Sequence, residues 1–565
     1  MKANAAIAEI LKREGVEILF AYPRNAVIEP ASKLGIRPII VRQERVGLHM
    51  ADAMSRLTRG KKMGVFVMQH GPGAENAYGG VAQAFSESVP VLVMPQGYAR
   101  RNSFVPRNFN STVTMAHVAK HAEPLSSGAE VPNVMRRAFH LLRNGRGGPV
   151  VVELPYDTVG EEVAEPLNYT PAIPVRYGPD AESVARAAKL LVKASRPVIY
   201  AGQGVHWAAA YDELRALAEL LAAPVCTSLP GKSAFDETHP LALGAGGAAY
   251  SATLPHFLGK ADVIFGIGCS FTETGFGFGM DPKKTYIHAT IDPSDIGKQL
   301  PCAAPLVGDA KLTLQAMIAA CQDLLKGKVR SRTSIEREIR QVEATWMKEW
   351  LPKLTSESAP LSPYRVLWEL QRTVDIDNTI ITHDAGSPRD QLTPFWKSTV
   401  PQSYIGWGKS TQLGYGLGLA MGAKLACPDK LCINVWGDAA IGFTGMDFET
   451  AARERIPILS ILLNNGAMAI ELNVMPEATK RFQATAITGN YAEFAKSLGG
   501  YGERVTQPGD IAAAIRRGIA QTRKGVPVLL EFITEQETVS SRPAADYMEK
   551  AATAPARRPA PAKAA

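Results

Sequence analysis

The sequence predicts an α/β protein made of three doubly wound domains, each with a parallel sheet covered by helices on both faces. Short apolar runs alternate with amphipathic helical segments along the chain, which is typical of parallel βαβ units. The chain has 565 residues, more than one hydrophobic core normally holds. Its 46% hydrophobic and 21% charged residues exclude a disordered, collagen-like or membrane protein.

The first domain is predicted over residues 1–170. It opens with a helix, because Ile7, Ile10 and Leu11 share one helical face, and a β-rich segment follows at 16–20. Further strands are predicted at 39–41, 64–68, 89–94 and 148–154, with a helix at about 45–58. Strands that alternate with helices in this way predict a parallel sheet.

The middle domain, predicted over 180–345, and the third domain, predicted over 360–540, repeat this alternation. Strands are expected at 196–204, where the run ends in a glycine turn, 261–268, 286–291, 379–382, 431–436, 458–463 and 528–532. A charged helical segment at 327–358 separates the two domains. Residues 541–565 are rich in Ala, Pro, Lys and Arg, which predicts a disordered tail or a lid.

Charge and cysteine usage exclude several function classes. The net charge of +8 is small for this length, and no stacking or helix-turn-helix pattern accompanies it, so no nucleic-acid partner is expected. The 6 cysteines form no CxxC pair, which argues against a zinc site or a disulfide framework. The first residues lack the uninterrupted apolar core typical of a signal peptide, and no apolar run approaches the ~18 residues of a membrane span, so we expect a cytoplasmic protein without a membrane partner.

The strongest chemical signal lies at the ends of two neighbouring strands of the third domain. Gly437-Asp438-Ala439 follows one apolar strand, and Asn464-Asn465 ends the next. Both therefore lie at the carboxyl edge of a parallel sheet, where such sheets bind ligands. A carboxylate, an amide oxygen and a backbone carbonyl suit Mg²⁺. The segment 443–449 is expected to begin a helix beside this site. The alternative is an ordinary strand-end Asp and a turn-forming Asn pair.

Two further signals lie in the first domain. Glu44 stands at the end of a predicted strand and the start of a helix, where a carboxylate by itself is a favourable partner of the helix dipole. The run His70-Gly71-Pro72-Gly73 through Asn76 follows the strand at 64–68, and by itself is also typical of an ordinary loop.

Together these motifs resemble those of thiamin-diphosphate (ThDP) enzymes of the acetolactate synthase, pyruvate decarboxylase and oxalyl-CoA decarboxylase superfamily. The family signature is Gly-Asp-Gly followed some two dozen residues later by Asn-Asn, and Ala439 replaces the third residue here. The run from Glu44 through His49-Met50-Ala51-Asp52-Ala53 is similar to the family's Glu…His-x-Ala-Asp-Gly, with alanine in place of the final glycine. The loop at 70–76 resembles its Ser-Gly-Pro-Gly-x-x-Asn, with histidine in place of serine. The resemblance covers most of the chain.

The resemblance implies a role for each motif. It implies Mg²⁺ bound by Asp438, Asn465 and the carbonyl of Ala467. It implies that Glu44 contacts N1′ of the cofactor's aminopyrimidine and favours the imino tautomer, whose 4′-nitrogen takes the C2 proton of the thiazolium. His70 becomes a candidate acid or base, with a structural or substrate-orienting role as the alternative. The implied cofactor contacts are Glu44, Gly73, Asn76, Ser387, Gln412, Leu413, Gly437, Asp438, Ala439, Ala440 and Asn465.

The resemblance further implies a lyase or transferase that cleaves or forms C–C bonds, a 2-oxo acid decarboxylase or an acetolactate synthase-like carboligase. One alternative is a 2-hydroxyacyl-CoA lyase or oxalyl-CoA decarboxylase, with acyl-CoA as substrate and residues 541–565 as a lid. The other is a degenerate, non-catalytic relative. The segment 268–271 lacks the Arg-Phe-Asp-Asp run of flavin-containing synthases, which argues against FAD, whereas a CoA-type nucleotide stays open. A homodimer or homotetramer is implied, with each site between the first domain of one subunit and the third of another.

Overall fold

The computed structural model describes residues 1–541, which contain three six-stranded sheets with every strand pair parallel. Helices flank each sheet, so the predicted class of three parallel-sheet α/β domains is confirmed. The predicted tail at 541–565 lies, apart from Ser541, outside the described residues. Within residues 1–541, each helix is too short or too polar to cross a bilayer.

The N-terminal sheet has the strand order β2-β1-β3-β4-β6-β5. Its strands are β1 (Ile18–Ala21), β2 (Arg37–Ile40), β3 (Gly64–Met68), β4 (Val91–Gly97), β5 (His121–Pro124) and β6 (Val150–Pro155). Its helices are α1 (Ala3–Arg13), α2 (Ile28–Lys33), α3 (Glu44–Leu57), α4 (Pro72–Ser86), α5 (Ser111–Met115) and α6 (Val131–Arg143).

The middle sheet has the order β12-β11-β10-β7-β8-β9. Its strands are β7 (Pro197–Ala201), β8 (Val225–Ser228), β9 (Ala242–Gly246), β10 (Val263–Ile267), β11 (Thr285–Thr290) and β12 (Ala304–Val307). Its helices are α7 (Ala181–Lys193), α8 (Gly204–Ala208), α9 (Tyr211–Leu221), α10 (Thr253–Lys260) and α11 (Ala310–Leu324), and α12 (Thr333–Leu354) leads to the next domain.

The C-terminal sheet has the order β14-β13-β15-β16-β18-β17, the same relative order as the N-terminal sheet. Its strands are β13 (Thr379–His383), β14 (Tyr404–Ile405), β15 (Leu431–Gly437), β16 (Leu459–Asn464), β17 (Tyr501–Val505) and β18 (Val528–Ile533). Its helices are α13 (Pro363–Thr373), α14 (Ser387–Leu392), α15 (Tyr415–Ala426), α16 (Asp438–Thr444), α17 (Phe448–Arg453), α18 (Pro476–Phe482), α19 (Tyr491–Ser497) and α20 (Ile511–Thr522).

Six strands have no counterpart among the sequence predictions: β5, β8, β9, β12, β14 and β17. All six have at most five residues, and five of them, all but β8, stand at a sheet edge. An edge strand is paired on one side only and carries polar residues, as β5 does with the sequence HAEP. Such segments lack the apolar run that reveals a buried central strand.

The N-terminal and C-terminal domains pack together through α3 and α15, which run side by side in the same direction. A Cβ on Gly418 would lie 2.5 Å from Cβ of His49, and a Cβ on Gly422 would lie 2.4 Å from the carbonyl oxygen of Met50. Glycine at both positions allows this close approach. Because the helices are parallel, the beginning of α3 lies beside the beginning of α15.

Candidate active site

A cavity of about 800 Å³ lies between the N-terminal and C-terminal domains. Residues of the N-terminal domain form one wall. The other wall consists of the second half of α16 with the turn that follows it, and of the beginning of α19 with the two residues before it. The lining residues are Tyr22, Arg42, Gln43, Glu44, Asn76, Ile441, Gly442, Phe443, Thr444, Gly445, Met446, Asp447, Gly489, Asn490, Tyr491 and Phe494. Both walls of this cavity come from the described residues of the chain itself.

Glu44 is the first residue of α3, and the extended backbone of Gln43 delivers it to this cavity (φ −136°, ψ 132°). It is only 3% exposed. Burial raises the pKa of its carboxyl group, and hydrogen bonds from its own backbone N–H and from the Asn76 side chain partly offset this effect. No cation is among the described groups that act on this pKa. The carboxyl group is therefore able to hold a proton more readily than an exposed glutamate.

Gly73 and Asn76 lie next to Glu44 on α4, the helix that Pro72 begins. A Cβ on Gly73 would lie 3.5 Å from Oε1 of Glu44 and 3.0 Å from Cγ of Gln69. The glycine therefore keeps free the space directly in front of the carboxyl group.

Asp438 and Asn465 come together at the carboxyl edge of the C-terminal sheet, as the strand pattern predicts. The Asp438 carboxylate accepts hydrogen bonds from the backbone N–H groups of Ala439 (3.0 Å) and Gly466 (2.7 Å). Oδ1 of Asn465 accepts from the N–H of Ala467 at 2.9 Å. Asp438 is 4% exposed, and burial raises the pKa of its carboxyl group.

The segment 443–449 begins a helix as expected, because α17 begins at Phe448, and a further helix that the sequence did not predict, α16, precedes it. Helix α16 begins at Asp438 itself, directly after β15, and ends at Thr444. Gly437 precedes it with an extended backbone (φ −103°, ψ 171°). A carboxylate in the first turn of a helix is favourable, which explains a start at Asp438. Ala440 is buried within this turn.

The segment before α15 approaches the N-terminal domain. The amide nitrogen Nε2 of Gln412 would lie 2.5 Å from a Cβ on Gly79, and its Oε1 is buried without a hydrogen-bond partner in the described structure. Leu413 packs against the apolar cluster that the N-terminal and C-terminal domains share. Ser387 begins α14, and Pro388 beside it lies 3.6 Å from where a Cβ on Gly437 would stand.

Asp384 positions this segment, and no sequence pattern singled it out for that role. It follows β13, and its carboxylate accepts hydrogen bonds from the N–H groups of Ala385 (2.8 Å), Gly414 (2.8 Å) and Gly416 (3.0 Å). Burial raises its pKa to about 7, although these bonds lower it. The sequence signals were its place at the end of an apolar strand and the resemblance of the run 384–387 to the family's diphosphate-contacting loop.

His70 lies outside the residues that line the cavity. It follows β3, and its ring makes edge contacts with Tyr98 and Tyr156, with centroid distances of 4.7 and 5.0 Å. Its Nδ1 is buried and has no hydrogen-bond partner among residues 1–541. Burial and the positive charge of Arg24 lower its pKa, which favours the neutral imidazole. A neutral ring with a free nitrogen is able to accept or relay a proton.

A second cavity of about 610 Å³ lies at the carboxyl edge of the middle sheet. Gly202, Gly204 and Gly268 let the ends of β7 and β10 meet closely, since a Cβ on Gly202 would lie 2.3 Å from the Gly268 carbonyl oxygen. The basic residues of its lining are Arg59, Lys61, Arg143, Arg146, Arg176 and Lys409. Carboxylates pair with three of them, Glu14 with Arg143, Asp295 with Arg146 and Asp309 with Arg176.

Comparison with known proteins agrees with this geometry. Models of the thiamine pyrophosphate enzyme N-terminal, central and C-terminal domains match residues 1–109, 184–317 and 384–532. A probable acetolactate synthase large subunit of Methanococcus aeolicus is 30% identical over 96% of this chain and 93% of its own length. The chain belongs to the thiamine pyrophosphate enzyme family. Thiamine pyrophosphate is another name for ThDP, so the chain is a ThDP-dependent enzyme of the acetolactate synthase and pyruvate decarboxylase superfamily.

Two further relatives of this ThDP enzyme carry related names. A probable acetolactate synthase large subunit of Methanocaldococcus jannaschii is 30% identical over 95% of this chain and 92% of its own length. The acetolactate synthase isozyme 3 large subunit of Escherichia coli K12 is 28% identical over 92% of this chain and 93% of its own length.

The residues present fit ThDP with a divalent metal ion. Asp438 is a buried carboxylate that only backbone N–H groups contact in the described structure, and a cation would balance its charge. Residues 1–541 contain no group of three or more His, Cys, Asp and Glu side chains placed to hold a metal. A metal bound here would therefore need the amide of Asn465, a backbone carbonyl and phosphate oxygens, a set that suits Mg²⁺.

Proposed function

We propose that this enzyme depends on ThDP and Mg²⁺ and cleaves or forms a C–C bond next to the carbonyl group of a 2-oxo acid. Within this class we favour an acetolactate synthase-like carboligase, with simple decarboxylation as its partial reaction. The observation that carries the proposal is the buried carboxyl group of Glu44, which faces the same cavity as the segment that follows Asp438.

Each group has one task in this proposal. Bound ThDP supplies a carbon nucleophile and accepts the electron pair released when the C–C bond breaks. Asp438, Asn465 and the carbonyl of Ala467 would hold Mg²⁺, and through it the diphosphate. Glu44, with its raised pKa, would hold a proton at a ring nitrogen of the cofactor. Leu413 would pack against the bound cofactor.

The Glu44→Gln variant tests the proposal. Removing a general acid or base costs typically ~10²–10⁴-fold in rate, so we expect a loss on that scale with ThDP still bound. Exchange of the cofactor's C2 hydrogen for deuterium, measured by quenched-flow NMR, should slow in parallel. The matched control is Glu75→Gln, which changes an exposed glutamate on α4 that does not line the cavity and should leave exchange unchanged. Wild-type exchange in fully loaded Glu44→Gln would refute the assignment.

The substrate class needs a separate measurement. A panel of 2-oxo acids, followed by carbon dioxide release and by chromatography of the products, should identify a donor and a coupled product. Consumption of acyl-CoA without any turnover of 2-oxo acids would contradict the carboligase proposal and favour the second candidate.

The second candidate is a 2-hydroxyacyl-CoA lyase or oxalyl-CoA decarboxylase. The cavity of the middle domain favours it, because a cavity of about 610 Å³ with Arg59, Lys61 and Lys409 in its lining suits a phosphate-bearing nucleotide such as CoA. FAD is a competing ligand for the same space. Deleting residues 542–565 distinguishes the acyl-CoA enzyme from the carboligase. If these residues form a lid over acyl-CoA, acyl-CoA turnover should weaken while any 2-oxo acid turnover survives.

We also propose that the enzyme is a cytoplasmic homodimer or homotetramer. The resemblance to the family supports this assembly. Light scattering of the full-length protein, loaded with ThDP and Mg²⁺, measures it directly. A fully active monomer would contradict it, because the cavity between the two domains would then suffice by itself.

A further inference from the structure

Glu531 is a charged residue in the interior of the C-terminal sheet. It lies in β18 between Leu530 and Phe532, and its side chain is 0% exposed. Strand β18 pairs with β16 on one side and with β17 on the other. Burying a carboxylate in such a place costs free energy unless hydrogen bonds or a cation compensate for the lost water. A costly residue of this kind indicates a task beyond the packing of the core.

Two donors from different segments contact this carboxylate, and both hydrogen bonds are buried. The side-chain nitrogen Nδ2 of Asn464 donates to Oε1 at 2.7 Å, and the backbone N–H of Ala492 donates to Oε2 at 3.0 Å. Arg504 of β17, which is half-exposed, is the only cation within 4 Å of the carboxylate in the described part of the chain, at 3.9 Å. Both oxygens of Glu531 therefore act as acceptors.

The first donor belongs to the loop that carries the proposed metal ligands. Asn464 ends β16, directly before this loop. Its Oδ1 accepts a hydrogen bond from the N–H of Gly466 at 3.1 Å, and the same N–H donates to the Asp438 carboxylate at 2.7 Å. The Glu531 carboxylate thus fixes the orientation of the Asn464 amide. This amide in turn holds the N–H that reaches Asp438.

The second donor belongs to a wall of the cofactor cavity. Ala492 is the second residue of α19, and Tyr491 before it lines the cavity. The hydroxyl group of Tyr491 donates to the carbonyl oxygen of Asp438 at 3.4 Å. Glu531 therefore joins two segments, the loop after β16 and the beginning of α19, and both of them contact Asp438.

Glutamine in place of Glu531 would have the same shape but would not satisfy both donors. Its side chain has one acceptor oxygen and one NH2 group, so the NH2 group would face either the N–H of Ala492 or the amide nitrogen of Asn464. Rotating the Asn464 amide would offer an oxygen to that NH2 group, but the rotated amide would then turn its own NH2 group toward the N–H of Gly466. Two donors meet in each arrangement, and a buried donor without an acceptor is costly.

We propose that Glu531 is a positioning residue for the metal ion and the diphosphate. The proposal rests on the proposed function, which assigns the ion to Asp438 and Asn465. Glu531 acts through Asn464 and α19, without contact with the ion itself. Replacing a group that orients metal ligands in this way typically lowers metal affinity by about 10–100-fold.

The first test measures metal binding directly. Mn²⁺ takes the same oxygen ligands as Mg²⁺, and its electron paramagnetic resonance signal reports the free ion. With ThDP in excess, Glu531→Gln should bind Mn²⁺ about tenfold or more weakly than the wild type. The control Glu493→Gln changes an exposed glutamate on α19 and should bind Mn²⁺ as the wild type does.

Two outcomes of this titration contradict different statements. Equal Mn²⁺ affinity in the wild type, Glu531→Gln and Glu493→Gln would overturn the role of Glu531 and leave the proposed function intact. A wild type that binds no Mn²⁺ in the presence of ThDP would overturn the proposed function, and this inference with it.

The second test exchanges the two buried side chains. In the double variant Asn464→Asp/Glu531→Gln, the amide at position 531 would donate to the carboxylate at position 464, and its oxygen would accept from the N–H of Ala492. The other carboxylate oxygen would accept from Gly466, so each hydrogen bond has a donor and an acceptor again and the net charge is unchanged. We expect Mn²⁺ affinity close to that of the wild type. A double variant that does not fold, or that binds Mn²⁺ no better than Glu531→Gln, would overturn the proposal.

Melting temperatures distinguish positioning from a purely structural role. ThDP with Mn²⁺ stabilises the folded protein by an amount that increases with its affinity. The rise in melting temperature on adding both should therefore be smaller in Glu531→Gln than in the wild type. An equal rise in both proteins, with a lower melting temperature of Glu531→Gln throughout, would show that Glu531 serves only the fold.

Discussion

Replacing Gly422 by alanine should separate the two helices that align the active site. The new Cβ would lie 2.4 Å from the carbonyl oxygen of Met50 and 2.8 Å from Cβ of Ala53. Carbon–oxygen contacts normally lie at about 3.3–3.6 Å, so α3 and α15 would have to move apart by about 1 Å. Both neighbouring atoms belong to the backbone or to Cβ, so no flexible side chain is able to give way.

The stability cost follows from two opposing effects. Overpacking of this kind costs about 1–3 kcal/mol. Alanine improves helix propensity over glycine by about 0.5–1 kcal/mol. We therefore expect a net loss of about 1–2 kcal/mol in the free energy of unfolding of the paired domains. Glu44 begins α3, so its displacement should also reduce turnover by up to about 100-fold.

Scanning calorimetry and turnover of the holoenzyme measure both effects. The matched control is Gly259→Ala on α10, where a Cβ would meet no atom within 4 Å. That variant should be as stable as the wild type or more so, since it gains propensity without a clash. If Gly422→Ala has the melting temperature and turnover of the wild type, the close packing of α3 on α15 and its role in placing Glu44 are both refuted.

Two further predictions concern the C-terminal domain. Asp438→Ala should lose ThDP affinity in the presence of Mg²⁺ by calorimetric titration, whereas Asp429→Ala, an exposed aspartate of the same domain, should retain it; undiminished affinity in Asp438→Ala would refute the metal site. Burial raises the pKa of Asp447 from 3.8 to about 6, so the folded state favours the protonated carboxyl group. The resulting stabilisation is complete below pH 3.8 and is lost as the pH rises through 6. Asp447→Asn should therefore raise the melting temperature relative to wild type more at about pH 7.5 than at about pH 5, and an equal difference at both pH values would contradict this sign.

Strands with continuous apolar runs were predictable from the sequence, and β3 agrees with its prediction at both ends. The edge strands were not, because half-exposed segments such as β5 lack that run. Helix α16 was not predicted, because Gly437 and Gly442 both interrupt the apolar pattern, and only the backbone conformation shows a helix that begins at Asp438.

The sequence by itself determined the fold class and the family, because strand alternation and short motifs are local patterns. It also brought Asp438 and Asn465 to one sheet edge, since parallel strands end together. Only the tertiary structure decided the burial of Glu44 beside Asn76, the hydrogen bonds of Asp384 to the beginning of α15, and the left-handed backbone of Arg24 near His70. These features depend on contacts between residues far apart in the chain, and a local pattern carries no information about such contacts.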